Sequence, residues 1–480
     1  MARINTNVAA LVAQRGLAKS QKSLNSTLQR LSTGLRINSG ADDPAGLIAS
    51  EGLRSEMSGI NSAIDNSSRA SNVLSTSEGA LNEVASLLLN VKELLVQGAN
   101  TGAMSDDEIK ANQLQIDSAI DSITRISNTT SFAGLKLLNG NLDYVTSGVN
   151  AGQISKLQVN QANFGTNVTI PVAVDVLTSA QTGQLRFTGS ALLSSVTLEV
   201  RGTQGVTTLT FLSGTKASAI AAAVNGISDT TGVTAAIVSA TNASSGITFN
   251  STGYGTKNFV SVKAQAGTGT SFAVTDRGGA TVQQTTGVDA TATINGALTT
   301  GDGRDLQLNT ASLNLKLTLD KSFSTGSSSF VITGGGALFQ LGAQVSSNQQ
   351  VNIGIQSVAA SHLGDAETGF LNQLQTGGNA SLVSNNSTTA SQIVDLAISQ
   401  VAVLRGRLGA FEKNVINTNV NSLQVALENV TASESTIRDA DFAVETSAMT
   451  RAQILTQAGT SVLATANSTP QSVLSLLQGR

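Results

Sequence analysis

Residues that could carry out chemistry are few in this chain, and they do not cluster. Its 480 residues include one histidine, no cysteine and no tryptophan, and 12% of them are charged. A chain without cysteine has no thiolate nucleophile, disulfide or cysteine-based zinc site, and one histidine cannot form a two-histidine metal motif. That histidine, His362, lies near Asp365 and Glu367 without a nucleophile pattern, which favours a surface position over catalysis.

The adjacent carboxylates Asp42 and Asp43 are a second candidate, for metal binding or acid–base chemistry. Pro44 follows them directly, as at the N-cap and first turn of a helix, so capping is the better interpretation. The glycine-rich run Thr333–Ala337 is not followed by Lys-Ser/Thr and is not a phosphate loop. Acidic residues of the middle region show no acid/base spacing, and the sequence leaves their arrangement in space open. We expect a protein that is not an enzyme, with no catalytic, cofactor or metal site.

Charge and hydropathy narrow the possible partners. The 28 Lys and Arg residues against 31 Asp and Glu give a net charge of −3, which provides no basic footprint for nucleic acid or anionic lipid. The apolar run Val8–Ala13 is too short for the hydrophobic region of a signal peptide. We expect no binding to nucleic acid or membrane, and either a cytoplasmic protein or export without signal cleavage.

Heptad spacing predicts long helices at both ends of the chain. An a/d seam runs through the N-terminal segment at Leu24, Leu28, Leu31 and Leu35. After the break at Asn38–Gly46, a second helix keeps one apolar phase at Leu74, Leu81, Leu88 and Leu95. Ser105 and Glu108 form the capping box of a third helix. Towards the C-terminus the heptads return at Val394, Val401, Leu408 and Val415.

The middle of the chain, from about residue 140 to 380, predicts antiparallel strands. Alternating segments such as Ser195–Val200 and Leu313–Leu319 carry this signal. The order helix–strand–helix indicates an α+β fold, in which the terminal regions form an antiparallel helical bundle or coiled coil with β-rich outer domains inserted. The outermost segments, 1–40 and 440–480, are too poor in apolar residues to be stable as a lone helix pair, which indicates assembly with a partner chain.

Both ends of the chain carry extended motifs. They are LQRLSTGLRINSGADDPAGL (Leu28–Leu47), with SEGALNEV and VKELLVQGAN further on, and Ser435–Gln478 at the C-terminus. These stretches closely resemble bacterial flagellins. In the middle, Val196–Ile237 is similar to the β–β–α–β "IN" module of flagellins and filament-cap proteins, and Gly287–Asp320 looks related to the same class. The resemblance implies a structural subunit that self-assembles into the helical, extracellular flagellar filament for motility.

The resemblance also implies a division into three regions. Residues 1–43 and 440–480 would form an inner coiled-coil domain that is disordered in the monomer. Residues 44–175 and 385–439 would form a helical tube domain with β-hairpins, and 176–384 the outer β-rich domains, with an IN-type module at about 190–245 and a second at about 285–325. The spoke between the inner and tube domains would contain Asp42, Asp43, Pro44 and Gly46.

Partners follow from the same resemblance. Subunits would leave through the flagellar type III export channel without signal cleavage, with a dedicated chaperone on the C-terminal helix at Val462, Leu463, Val473 and Leu476. Other copies of the chain, the filament cap and hook-junction proteins would be its assembly partners. Two alternatives are a hook–filament junction protein, which the ending Gln457–Asn467 disfavours, and a filament subunit whose outer domains act as an adhesin.

The resemblance to flagellins also assigns roles to individual residues. We expect a seam between subunits at Leu24, Leu28, Leu31, Leu35, Ile454, Leu455, Val462, Leu463, Leu474 and Leu477, and a core within the chain at the helical positions 74 to 95 and 394 to 415 given above. Flagellins that the innate immune receptor recognises well carry Arg and Glu where this chain has Asn90 and Gln115. The loss of a guanidinium and its charged partner predicts weak receptor stimulation.

Overall fold

A computed structural model describes residues 6–239, 245–265, 272–384 and 386–479, except the side chains of 473, 474 and 476–478. Contacts divide the chain into two compact units. The first contains residues 6–69, 340–345 and 413–479, and the second contains 70–339 and 346–412. No helix within the described ranges is long and apolar enough to cross a membrane.

Long helices occupy both ends of the chain, and two short ones lie in the middle. They are α1 (Val8–Thr33), α2 (Pro44–Gly98), α3 (Asp106–Thr129), α4 (Ala217–Asn225), α5 (Ser228–Thr231), α6 (Ser387–Phe411), α7 (Asn417–Arg438) and α8 (Phe442–Gln478), with a π-helical turn at Glu412–Ile416. The capping box at Ser105 and Glu108 begins α3, as the sequence predicts.

Strands fill the middle of the chain. They are β1 (Ser131–Phe132), β2 (Leu135–Lys136), β3 (Tyr144–Ser147), β4 (Ile154–Ala162), β5 (Ile170–Thr178), β6 (Thr182–Phe187), β7 (Val196–Arg201), β8 (Val206–Phe211), β9 (Val233–Ile237), β10 (Ile247–Tyr254), β11 (Phe259–Ala264), β12 (Thr275–Asp276), β13 (Gln284–Thr286), β14 (Thr291–Ile294), β15 (Ala297–Thr300), β16 (Asp305–Asn309), β17 (Leu313–Leu319), β18 (Gly326–Gly335), β19 (Ala337–Gln340), β20 (Gln350–Ile353), β21 (Gly364–Asp365) and β22 (Gly369–Phe370). The α+β class is confirmed.

Most strands of the second unit build two β modules, each with its own core. Module A holds the antiparallel sheets β15-β14-β5-β18-β3 and β16-β17-β4 around residues such as Leu315 and Phe330. Module B holds the sheets β12-β6-β10-β9 and β13-β11-β7-β8, with α4 packed on a core that includes Phe249. Alternate strand residues point into each core, which explains the alternation in the sequence.

The expected outer modules can be located on modules A and B. The IN-type stretch, Val196–Ile237, has the order β7-β8-α4-α5-β9 and lies in module B together with β6, β10 and β11. The second stretch, expected as a separate module at about 285–325, contributes strands β14 to β17 to the core of module A. The expected boundary at residue 175 falls inside β5, whose Val174 and Val176 belong to that core.

Candidate functional site: the terminal helix pair

Helices α1 and α8 of the first unit lie side by side and form what we call the terminal helix pair. The Asn7 side chain caps the start of α1 by accepting from the Ala10 N–H at 3.0 Å. The Asp441 side chain caps the start of α8 by accepting from the Ala443 and Val444 N–H groups. Gly34 ends α1 with φ of +74°, a left-handed conformation that glycine adopts without strain.

Contacts along the pair keep one antiparallel register. Near one end, the Asn7 amide donates to the Ala466 carbonyl at 2.7 Å. In the middle, Leu17 lies against Gly459, which has no side chain to keep the helices apart. At the other end, Arg30 Nη1 is 3.1 Å from Glu445 Oε1.

The pair buries few of its own side chains. Among the described side chains of α1 and α8, three are buried: Thr27, Glu445 and Ala452. Nine large apolar side chains remain 44–70% exposed: Val8, Leu11, Val12, Leu28, Phe442, Val444, Ile454, Leu455 and Val462. The helices therefore contact each other while leaving much of their apolar surface exposed to solvent.

The expected seam residues fall into two groups. Leu24, Leu31, Leu35 and Leu463 are half-buried, whereas Leu28, Ile454, Leu455 and Val462 are exposed. The side chains of Leu474 and Leu477 lie outside the described residues. The first group faces the helix pair in part, and the second group faces away from it.

The expected spoke is a capped loop in the first unit. The Asp43 carboxylate accepts from the Gly46 N–H at 2.9 Å, with Pro44 as the first residue of α2. The Asp42 carboxylate accepts from the backbone N–H groups of Ser39 and Asn38, and these bonds hold its pKa below the usual value. Both carboxylates thus serve the backbone, and the described residues contain no group of three acidic or histidine side chains placed to hold a metal.

A contact that the heptads did not reveal joins the two segments next to the helix pair. Leu35 and Asp439 form an antiparallel bridge in which Arg36 N–H donates to Arg438 O at 2.6 Å and Ala440 N–H donates to Gly34 O at 2.9 Å. Ile37, which is 1% exposed, lies directly after it. A two-residue bridge between distant segments has no periodic signal, so spacing could not predict it.

The positions expected to form the helical core are deeply buried, with one exception. Leu74, Leu81, Leu88, Leu95, Val394, Val401 and Leu408 are at most 3% exposed. Val415 is only half-buried and its neighbour Ile416 is buried instead. The π-helical turn at Glu412–Ile416 inserts a residue into the repeat and moves the apolar phase by one position.

The remaining candidates lie on the surface. Asn90 and Gln115 are exposed on α2 and α3, beside the exposed Leu89 and Leu114. His362 is exposed and lies 2.9 Å from the Ser361 hydroxyl. Glu367 pairs with Arg304 and Lys321, while Asp365 accepts from the backbone of its own hairpin. This arrangement stabilises a surface loop.

Comparison with known proteins agrees with the resemblance read from the sequence. The models of the bacterial flagellin N-terminal and C-terminal helical regions match residues 4–143 and 391–477. The chain is 32% identical to a flagellin from Salmonella rubislaw, 31% to one from Salmonella typhimurium and 30% to the B-type flagellin of Pseudomonas aeruginosa, each over 99% of both chains. Overlap with a hook-associated protein from Legionella pneumophila gives a TM-score of 0.30 at 10% identity, over 81% of this chain and 98% of the other. The near full-length identity shows that the chain belongs to the bacterial flagellin family.

Proposed function

We propose that the chain is a structural subunit of the extracellular flagellar filament and that the terminal helix pair drives its assembly. The observation that carries this proposal is the exposure of nine large apolar side chains on α1 and α8. Flagellins are filament subunits, and the near full-length identity to them favours this role over a hook–filament junction protein.

The physical basis is folding coupled to binding. A helix pair that buries three side chains gains little apolar burial with which to offset the conformational entropy of ordering more than sixty residues. Apolar surface gains about 25 cal/mol for each Å² removed from water, so a neighbouring copy that covers these side chains supplies the missing free energy. The helix pair would then become ordered as the subunit joins the filament.

Several partners belong to the same proposal. Before assembly, an export chaperone would cover part of α8, where Val462 is exposed and Leu463 is half-buried. The side chains of Val473 and Leu476 lie outside the described residues. Export would proceed through the type III channel without signal cleavage, and the cap and hook-junction proteins would contact the filament ends. Exposed Asn90 and Gln115 would give weak stimulation of the innate immune receptor, to be measured with a reporter cell line and purified monomer.

The test is seeded polymerisation of the full chain beside a variant that retains residues 44–439. We expect long helical tubes by electron microscopy from the full chain and none from the truncated variant. Circular dichroism of the truncated variant establishes that its helices and strands remain folded. Tubes formed by a folded truncated variant would contradict the proposal, because assembly would then not need α1 and α8.

A further inference from the structure

We infer that the ion pair Arg30–Glu445 specifies the register in which α1 packs on α8. The two residues act as positioning residues: they determine which levels of the two helices lie side by side. The consequence for filament assembly rests on the proposed function, whereas the register itself is a property of the helix pair.

The first observation is the burial of this ion pair. The side chain of Glu445 is 10% exposed, the lowest value for a carboxylate among the ion pairs of the described residues, and that of Arg30 is 31% exposed. A buried carboxylate is strongly unfavourable without its partner, because burial removes the solvation of the charge. A register that separates the two groups therefore carries a penalty that an exposed pair would not impose.

The second observation is that the buried side chains of the described helix pair, apart from Glu445, are small. Thr27 and Ala452, the other two buried residues of the described pair, are small, and Leu17 meets a glycine at position 459. Small side chains with heptad spacing can pack equally well after a shift of one turn, about 5.4 Å. The Asn7 amide donates to a backbone carbonyl, a group that every residue provides. A single polar pair at a buried position is the device by which coiled coils select one register.

The backbone bridge at Leu35 and Asp439 is the competing determinant. It lies just outside the ends of α1 and α8, and its hydrogen bonds use backbone groups alone. Because the bridge does not depend on side-chain identity, it should survive charge reversal at Arg30. The two determinants can therefore be separated by mutation.

The register matters because it aligns exposed apolar side chains. Val12 and Val462 are 52% and 57% exposed, and both lie between the level of the Asn7–Ala466 contact and that of the Leu17–Gly459 contact. A shift of one turn would offset them by about 5.4 Å. A second copy that packs across both helices would then meet a different surface.

The chain offers a clean test because it contains no cysteine. A Cβ at position 459 would lie 3.6 Å from the Cβ of Leu17, within the range of a disulfide. The pair Leu17→Cys with Gly459→Cys reports the observed register, and Leu17→Cys with Leu463→Cys reports a shift of about one turn. Each pair is combined with Arg30→Glu, with Glu445→Arg, with both, and with the control Lys22→Glu, which reverses an exposed charge on the same helix.

Cross-linking is measured in seeded polymers of the full-length chain, in which the helix pair is ordered. We expect the single reversals to lower the 17–459 yield about tenfold and to raise the 17–463 yield, because one carboxylate or guanidinium is left unpaired. The double reversal should restore the 17–459 yield to within about twofold of the parent, and Lys22→Glu should leave it unchanged.

Other outcomes overturn the inference. An unchanged 17–459 yield in Arg30→Glu means that the backbone bridge suffices, and a double reversal that does not restore the yield means that the charges do not act as a pair. If the single reversals abolish both cross-links, the double reversal decides. A restored 17–459 yield then supports the pairing of the two charges, and an unrestored yield contradicts it. Failure of the parent chain to polymerise contradicts the proposed function instead. The coupling of helix ordering to assembly is then withdrawn with it, and the same cross-links in the soluble chain test the register.

Discussion

The terminal helix pair and the helical core of the second unit share a heptad pattern but differ in how much of it they bury. In the second unit, Leu81 and Leu88 of α2 and Ile120 of α3 are fully buried. In the terminal pair, the described buried residues are Thr27, Glu445 and Ala452, and the larger apolar side chains are half-buried or exposed. A heptad pattern therefore shows that a helix needs a partner without showing whether that partner lies in the same chain.

The largest expected effect comes from the completed core. Leu88→Ala should lower the free energy of unfolding by about 2–5 kcal/mol, because it removes a fully buried side chain and leaves a cavity. Denaturant unfolding of the soluble chain measures this. Leu89→Ala, at a neighbour that is 57% exposed, is the matched control and should change the value by less than about 0.5 kcal/mol. Similar losses in both variants would show that this helix does not pack as described.

In the terminal helix pair, loss of apolar side chains is expected to weaken assembly rather than folding. The double substitution Ile454→Ser and Leu455→Ser should leave unfolding of the soluble chain unchanged, because both side chains are more than half exposed. It should raise the critical concentration for polymerisation about tenfold, equivalent to about 1.4 kcal/mol of lost contact between subunits. Sedimentation of polymers measures it, with Gln453→Ser as the control at a neighbouring exposed residue. An unchanged critical concentration would remove these residues from the seam.

Two glycines of α2 in the first unit give a smaller effect. A Cβ added at Gly52 would meet no atom within 4 Å beyond the backbone of its own helix and its chain neighbours. Gly52→Ala should therefore stabilise the helix by about 0.5–1 kcal/mol, because alanine lowers the entropy of the unfolded chain. At Gly59 a Cβ would lie 2.8 Å from the Ala343 carbonyl oxygen, so Gly59→Ala should lose that gain. The difference between the two variants in denaturant unfolding tests the packing of residues 340–345 on α2. Equal stabilisation would mean that this contact is absent in solution.

The smallest expected effect depends on pH and concerns Asp143 in the second unit. Burial raises the pKa of this carboxyl above its usual 3.8, and the hydrogen bond from the Tyr144 backbone N–H and the charge of Arg407 oppose the shift only in part. Since the folded state holds the proton more tightly than the unfolded state, ionisation destabilises the fold as pH rises from about 3.8 through the raised value. Asp143→Asn should be more stable than the parent at pH 7, and the difference should vanish below pH 3.8. Thermal unfolding across this range measures it, and a difference independent of pH would assign the effect to packing.

Local signals predicted the helices well. Heptads located α2 and α6, and the capping box located the start of α3, because contacts within a few residues determine these features. The π-helical turn at Glu412–Ile416 was not predicted, because no residue type marks the place where one residue is added to the heptad repeat. An unbroken heptad therefore assigned Val415 to the core, where the structure buries Ile416.

Long-range signals were weaker. Residues 285–325 resemble a module of their own, yet β17 pairs with β4 and β14 pairs with β5, partners more than a hundred residues earlier in the chain. The bridge between Leu35 and Asp439 likewise joins segments about 400 residues apart. Period-2 alternation predicts that a strand has a buried face but does not identify the strand beside it. The low apolar content of the outermost segments predicted that they need a partner chain, whereas the individual seam residues were assigned from the resemblance to flagellins.

Hydrogen exchange of the soluble chain and of the seeded polymer tests the account most directly. The backbone amides of α1 and α8 should exchange rapidly in the soluble chain and become protected in the polymer. The amides of α3 and of residues 74–95 in α2 should be protected in both states. Equal protection of α1 and α8 before and after polymerisation would contradict the central claim, because the helix pair would then be stable without a neighbouring subunit.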